Sequence, residues 1–160
     1  MIPLFKKGDP LDPKNFRPVA ILPIISKILE KVVFIQVVNY MESNKLMHPS
    51  HHGFRAGHST VTALIQMYDS WVNTIESGQF AAACFLDLSA AFDVVDHPLL
   101  LDKLKLYGFS DSSLQWISSY LCGRSQSVYV DGFLSSALPI SSGVPQGSIL
   151  GPLLYVIFTN

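Results

Sequence analysis

Residues 79–88 read QFAAACFLDL, a stretch bounded by Gly78 in which nearly every position is apolar and one carboxylate, Asp87, arrives at the end. So short a run, apolar at odd and even positions alike, predicts a strand buried on both faces rather than an alternating half-exposed one. A chain built around such a strand has to cover it. With 160 residues it is long enough for one domain with a real core. Its 49% hydrophobic and 14% charged content places it among globular chains. The positive mean hydropathy of +0.33 suggests a piece of a larger body, with faces meant to be covered.

The segments around that strand are mostly helical. Pro3, Pro10, Pro13, Pro18 and Pro23 exclude a long helix at the start and favour short extended pieces joined by turns. From residue 24 to about 42, Ile25, Ile28, Leu29, Val32 and Ile35 recur at helical spacing, which predicts a well-buried helix. Ser59 reads as an N-cap. After it Val61, Leu64, Ile65, Tyr68, Trp71, Val72 and Ile75 trace one stripe, expected to be core, before Gly78. Helices are also predicted from Asp96-His97-Pro98 to Gly108, over residues 111–121, and from about residue 149 onward. Between the last two, SQSVYVDGFLSSALPIS predicts a hairpin turning at Asp131-Gly132. The fold class expected is α+β with one central antiparallel sheet packed on helices.

Charge is uneven. The net charge of −1 is a weak argument against a phosphate-rich partner. Yet Lys6, Lys7, Lys14, Arg17, Lys27 and Lys31 crowd the first 31 residues against only Asp9, Asp12 and Glu30. No apolar run reaches the roughly 18 residues of a membrane helix, and the start carries no signal-peptide pattern. Cys84 and Cys122 are expected to be reduced core thiols.

Asp87 carries the chemistry. A carboxylate where a buried strand runs out is costly unless paired or holding a metal. Either Asp87 or Ser89 closes the turn into the next segment, or Asp87 ligates Mg²⁺, a hard cation that takes carboxylate oxygens and keeps waters and phosphates as its other ligands. The residues alone leave both open. Ser89, Ala90 and Ala91 are small enough for a large ligand to approach the backbone, and Phe92 supplies a flat wall; a nucleoside triphosphate fits that description. Asp93 and Asp96 read as turn or cap residues. Two-metal chemistry needs several carboxylates, and no second acidic pair occurs in the chain.

Four blocks, IPLFKKGDPLDPKNFRPVAIL, HGFRAGHST, FLDLSAAFDVVDH and GVPQGSILGPLLY, resemble in this order successive blocks of the reverse transcriptase domain of non-LTR (LINE-like) retrotransposons. The resemblance implies a right-hand polymerase arrangement: fingers with a leading palm helix region over about 1–78, and palm with inserted hairpin elements over about 79–160. It implies that Asp87 is the first metal-binding aspartate, with the Leu88 carbonyl near the second of two Mg²⁺ ions. Phe92 would screen the sugar, Ala90 and Ala91 would meet the triphosphate through backbone amides, and Lys6 or Lys7 with Arg17 would grip the phosphates. Gln146 and Gly147 would pack on the nascent base pair and template, and Arg55 would belong to the template path. The implied partners are an RNA template, a DNA primer, dNTPs and the rest of a retrotransposon polyprotein, with no membrane and an intracellular, nuclear or cytoplasmic, location. The mechanism implied is phosphoryl transfer with little covalent work by the protein.

The family's aromatic-Ala-Asp-Asp box and thumb would lie beyond Asn160, and any endonuclease before Met1. The expectation is therefore a fragment, truncated before the end of the palm, that does not polymerise alone. A non-catalytic remnant is the alternative. A group II intron-type enzyme is a nearer rival than a haloacid-dehalogenase-like phosphatase, which expects an acid where Ser89 stands and a parallel sheet. His51, His52 and His58 match no common ligand spacing and read as loop histidines.

Overall fold

The computed structural model describes every residue except Ser89. Among the described residues, six short strands and five helices follow one another along the chain. Strands β1 (Ile2–Phe5) and β2 (Phe16–Val19) pair antiparallel, with Leu4 opposite Arg17. Their connection turns on a 3-10 segment, Pro13–Asn15, capped by the Asp12 side chain. Helix α1 (Ile24–Ser43) starts directly after Pro23, as the end of the proline-rich stretch requires. Helix α2 (Thr60–Glu76) opens on a capping box, Ser59 accepting from the Thr62 amide while the Thr62 hydroxyl accepts from the Ser59 amide. Asp96 caps α3 (His97–Leu106) and Ser110 caps α4 (Asp111–Leu121).

After α4 the chain forms a double hairpin. Strand β3 (Ser125–Gln126) pairs with β6 (Leu138–Pro139), and β4 (Tyr129–Val130) with β5 (Phe133–Leu134). Asp131 and Gly132 both take positive φ, 48° and 88°, as a tight two-residue turn between twisted strands requires. Helix α5 (Leu150–Thr159) closes the chain. It packs on α1 and α3, and α4 packs on α3. Leu100, Leu104, Leu121, Leu150, Leu154 and Ile157 form the centre of the core, each at most 2% exposed.

Two expectations about strands are corrected. There is no single central sheet: the described strands form three separate two-stranded ladders. Residues 80–88 lie exposed without regular structure, Phe80 fully and Leu86 at 88%. Apolar composition specifies a strand only where a neighbour supplies the hydrogen bonds, and no described strand flanks this segment.

The helices are where the periodicity put them, but two of their faces are not. On α1 the buried stripe runs through Glu30, Val37 and Met41, with Val33, Phe34 and Val38 beside it, whereas Ile25, Ile28, Leu29, Val32 and Ile35 are exposed. On α2 no residue is buried, and Val61, Leu64, Ile65, Tyr68 and Ile75 face outward. A stripe states that a face is apolar; it cannot name the neighbour that covers it. Cys84 and Cys122 are both free thiols, but exposed rather than in the core. Among the described residues no helix is long and apolar enough to cross a membrane.

Candidate functional site

Two loops meet at one side of the helical core. The first, residues 90–96, links the open segment to α3; the second, residues 142–148, links β6 to α5. Their backbones are bonded directly: the Gly143 amide donates to the Val95 carbonyl at 2.7 Å and the Val144 amide to the Phe92 carbonyl at 2.8 Å. The Ser142 hydroxyl adds a bond to the Asp93 carbonyl at 3.1 Å. Gly143 has φ +84°, and a Cβ there would stand 2.9 Å from both the Asp93 Cα and its carbonyl oxygen. Only glycine lets the loops approach so closely.

The Gly143 carbonyl is held from below. Buried His97 donates to it through Nε2 at 2.8 Å, and Arg124 through Nη2 at 3.2 Å. Arg124 Nε also donates to the Leu121 carbonyl at the end of α4. Burial holds the Arg124 guanidinium below its usual value, with the neighbouring Tyr120 and Cys122 pulling the other way.

Beyond Gly143 the loop reaches the β1–β2 hairpin. The Ala20 amide donates to the Gln146 carbonyl at 2.8 Å, and Gly147, at φ +103°, lies against the Ala20 carbonyl. The Gln146 side chain turns back to Asp93, its Nε2 lying 3.2 and 3.3 Å from the two carboxylate oxygens. A groove of about 690 Å³ opens between these parts, with Pro18, Ala20, Asp93, Arg124 and Gln146 among its walls.

Helix α5 begins immediately after this loop, and its first amides are all satisfied from elsewhere. Glu30 of α1, 2% exposed, accepts through Oε2 from the Ile149 and Leu150 amides at 2.7 and 3.1 Å. The Ser148 hydroxyl accepts from the Gly151 amide at 2.9 Å. A carboxylate at a helix N-terminus satisfies orphan donors and opposes the helix dipole. Beside it the Tyr120 hydroxyl is buried without a geometric hydrogen-bond partner. Burial pushes that phenol up to about 12, Ser148 pulls it down, and Glu30 adds to the rise.

The structure brings some of the sequence-predicted residues together and leaves others apart. Phe92 is half-buried, its ring 5.1 Å from Tyr155 and 6.1 Å from Phe54. Phe54 belongs to the loop that carries Arg55, so that loop, Phe92 and the loop of Gln146 share one corner. Arg55 itself is engaged, its Nε and Nη2 each 2.8 Å from a Glu42 carboxylate oxygen and its Nη1 3.2 Å from the His48 carbonyl. The hydrogen bond to Arg55 holds the Glu42 carboxyl below its usual range and raises the guanidinium.

Lys6, Lys7 and Arg17 are exposed on the β1–β2 hairpin that Ala20 ties to Gln146. Ala90 is exposed in the left-handed region at φ 55°, a conformation a non-glycine residue adopts at some cost, and Ala91 is partly buried. Asp87 and Leu88 lie on the open segment, exposed, and among the described residues Asp87 makes no hydrogen bond or ion pair. Ser89, read as a turn or approach residue, lies outside the described residues. Asp96 caps α3, as its reading as a cap residue expects. His52 bridges Thr62 and Gln66 of α2 rather than joining a ligand cluster.

Sequence reasoning missed Glu30 and His97 and gave Asp93 only a turn. Asp93 was reachable in principle, being one of three acids in the quoted FLDLSAAFDVVDH block. Glu30 carried no local signal, because the amides it serves are 119 and 120 positions away.

The family profile described as reverse transcriptase (RNA-dependent DNA polymerase) matches residues 5–160. The RNA-directed DNA polymerase from mobile element jockey of Drosophila funebris is 39% identical over 160 residues, covering 99% of this chain and 17% of its own length. Its Drosophila melanogaster counterpart is 36% identical, over 100% of this chain and 18% of the relative. The probable RNA-directed DNA polymerase from transposon X-element of the same fly is 35% identical, over 98% and 17%. The chain spans under a fifth of the length of these curated relatives.

Proposed function

This chain belongs to the reverse transcriptase family, and from that premise we propose that it supplies the nucleotide-gripping part of an RNA-directed DNA polymerase of the non-LTR retrotransposon type. In this reading a primer 3′-hydroxyl attacks the α-phosphorus of a dNTP on an RNA template, and pyrophosphate leaves. Lys6, Lys7 and Arg17 hold the phosphates, Ala90 and Ala91 meet them through the backbone, and Phe92 lies against the sugar. Gln146 and Gly147 pack on the nascent base pair and template. Arg55 stands at the template path, its guanidinium fixing its own loop through Glu42. Residues 1–78 correspond to fingers with a leading palm helix, and 79–160 to palm. The reading is carried by one observation: the family match spans the two loops that meet at Phe92 and Gln146, together with the basic hairpin tied to them.

A divalent cation, when bound, would neutralise phosphate charge and acidify the attacking hydroxyl. Asp87 is the residue proposed to hold Mg²⁺, with the Leu88 carbonyl beside the second ion of the complete centre. Its exposed oxygens suit one hard cation whose other ligands are water and phosphate. Two adjacent ions need several carboxylates, and among the described residues no group of three His, Cys, Asp or Glu could hold a metal. A two-ion centre does not fit these residues alone. The 160 residues by themselves are proposed not to extend a primer.

The test is a chimera in which these residues replace the matching segment of the Drosophila funebris jockey polymerase. It should incorporate dNTPs on an RNA template, and Asp87→Ala should lower the rate by at least about a hundred-fold, the scale of losing a key electrostatic group. An Asp87→Ala chimera as fast as its parent would remove Asp87 from the proposal.

A further inference from the structure

We propose that Asp93 is a positioning residue that fixes which atoms of Gln146 face the groove; the inference rests on the polymerase reading and deepens it. A carboxylate only accepts hydrogen bonds, so the Gln146 amide nitrogen has to be the atom turned toward Asp93. The carbonyl Oε1 then points away. Gln146 is held at its main chain too, through the Ala20 amide, and Asp93 through the Ser142 hydroxyl on its own carbonyl. The close passage of Gly143 over Asp93 leaves little room for the Asp93 backbone to shift. Both residues line the groove of about 690 Å³.

A free glutamine has three side-chain torsions to lose on contacting a ligand, and one anchored beforehand loses fewer. With one N–H engaged, the anchored amide holds its Oε1 acceptor in a fixed place. That oxygen suits a hydroxyl or amino donor on the ligand. Asp93 has a second, separate duty, since its amide closes a turn onto the Ala90 carbonyl. A side-chain substitution leaves that main-chain bond in place.

The test uses the 160-residue chain. In ¹⁵N-resolved spectra the Gln146 side-chain amide, identified by its loss in Gln146→Ala, should be displaced from the position of solvent-exposed glutamines. Asp93→Ala should return it there, while Asp93→Asn, which keeps an acceptor, should not. Affinity for a fluorescent dNTP should fall about five-fold in Asp93→Ala, the scale of one net hydrogen bond, and less than about two-fold in Asp93→Asn. In a Gln146→Ala background Asp93→Ala should add nothing. Resonances of the α3–α5 core report whether each variant folds. An amide signal indifferent to Asp93→Ala, or an undiminished effect in the Gln146→Ala background, overturns the proposal. A wild-type chain that binds no nucleotide leaves the polymerase reading to the chimera, and the amide signal then decides on Asp93 alone.

Discussion

Replacing Glu30 with alanine takes away the one acceptor that serves both the Ile149 and Leu150 amides. Leu150 is 2% exposed, so its amide would be left buried and unpaired, a loss of about 1–3 kcal/mol. Ile149 is half-buried and water can reach its amide, which puts that loss near the lower end, about 1 kcal/mol. Removing a negative charge from a helix N-terminus adds about 0.5–1 kcal/mol. Relief from burying a carboxylate opposes these terms, so the net expectation is about 3 kcal/mol. Against a total stability of roughly 5–15 kcal/mol this is a large fraction, and it would move the urea midpoint by roughly 1–2 M. Glu30→Gln keeps a carbonyl oxygen in the same place and should lose only about 1 kcal/mol, the charge–dipole part. Urea unfolding followed by circular dichroism measures both. A Glu30→Ala midpoint indistinguishable from wild type would refute the reasoning, since it would mean that the start of α5 does not depend on this carboxylate.

Tyr120 gives a pH prediction. Its folded value of about 12 lies above the usual 10, so the stabilising contribution is complete below pH 10 and is lost as pH rises toward 12. The loss should be on the order of 2–3 kcal/mol and should vanish in Tyr120→Phe, which also removes an unpartnered hydroxyl and is expected to be neutral or stabilising at pH 7. Alkaline melting of the two proteins checks this. Gly143→Ala should destabilise by roughly 2 kcal/mol or more, from a left-handed φ combined with contact on the Asp93 backbone, and should loosen the 142–148 amides in hydrogen exchange. The Glu42–Arg55 pair should contribute at neutral pH and fade as acid passes below the usual 4.5 toward the lowered folded value. Because Glu42 is 40% exposed, Glu42→Gln should cost under about 1 kcal/mol at pH 7 and nothing at pH 2 by urea titration.

What the sequence made legible was local. Ser59, Asp96 and the Asp131-Gly132 pair act within four residues of themselves, so helix starts and the hairpin turn could be read directly. The helical period of residues 24–43 was equally plain. Its buried side was not, because the hydrophobic Ile25–Ile28–Leu29 row outscored the row that begins with a charged Glu30. Glu30 is inside only because α5 arrives from far along the chain with unpaired amides. The same limit applies at the site. Phe92 and Gln146 were marked from separate blocks, but their meeting through Val144, and the Asp93–Gln146 contact across 53 positions, depend on the folded path. The strand expected over 79–88 failed for a related reason: a strand's neighbours are not written in the strand.

The outward-facing rows of α1 and α2, with Phe80, Phe85 and Leu86 on the stretch between α2 and the first loop, give this molecule an adhesive exterior. Such a surface would bind hydrophobic dyes in the native state, adhere to phenyl resins and draw holdase chaperones even while the α3–α5 centre stays intact. Its colloidal behaviour and its conformational stability are thus set by different residues, and mild detergent should improve the first while leaving the unfolding midpoint of the second unchanged.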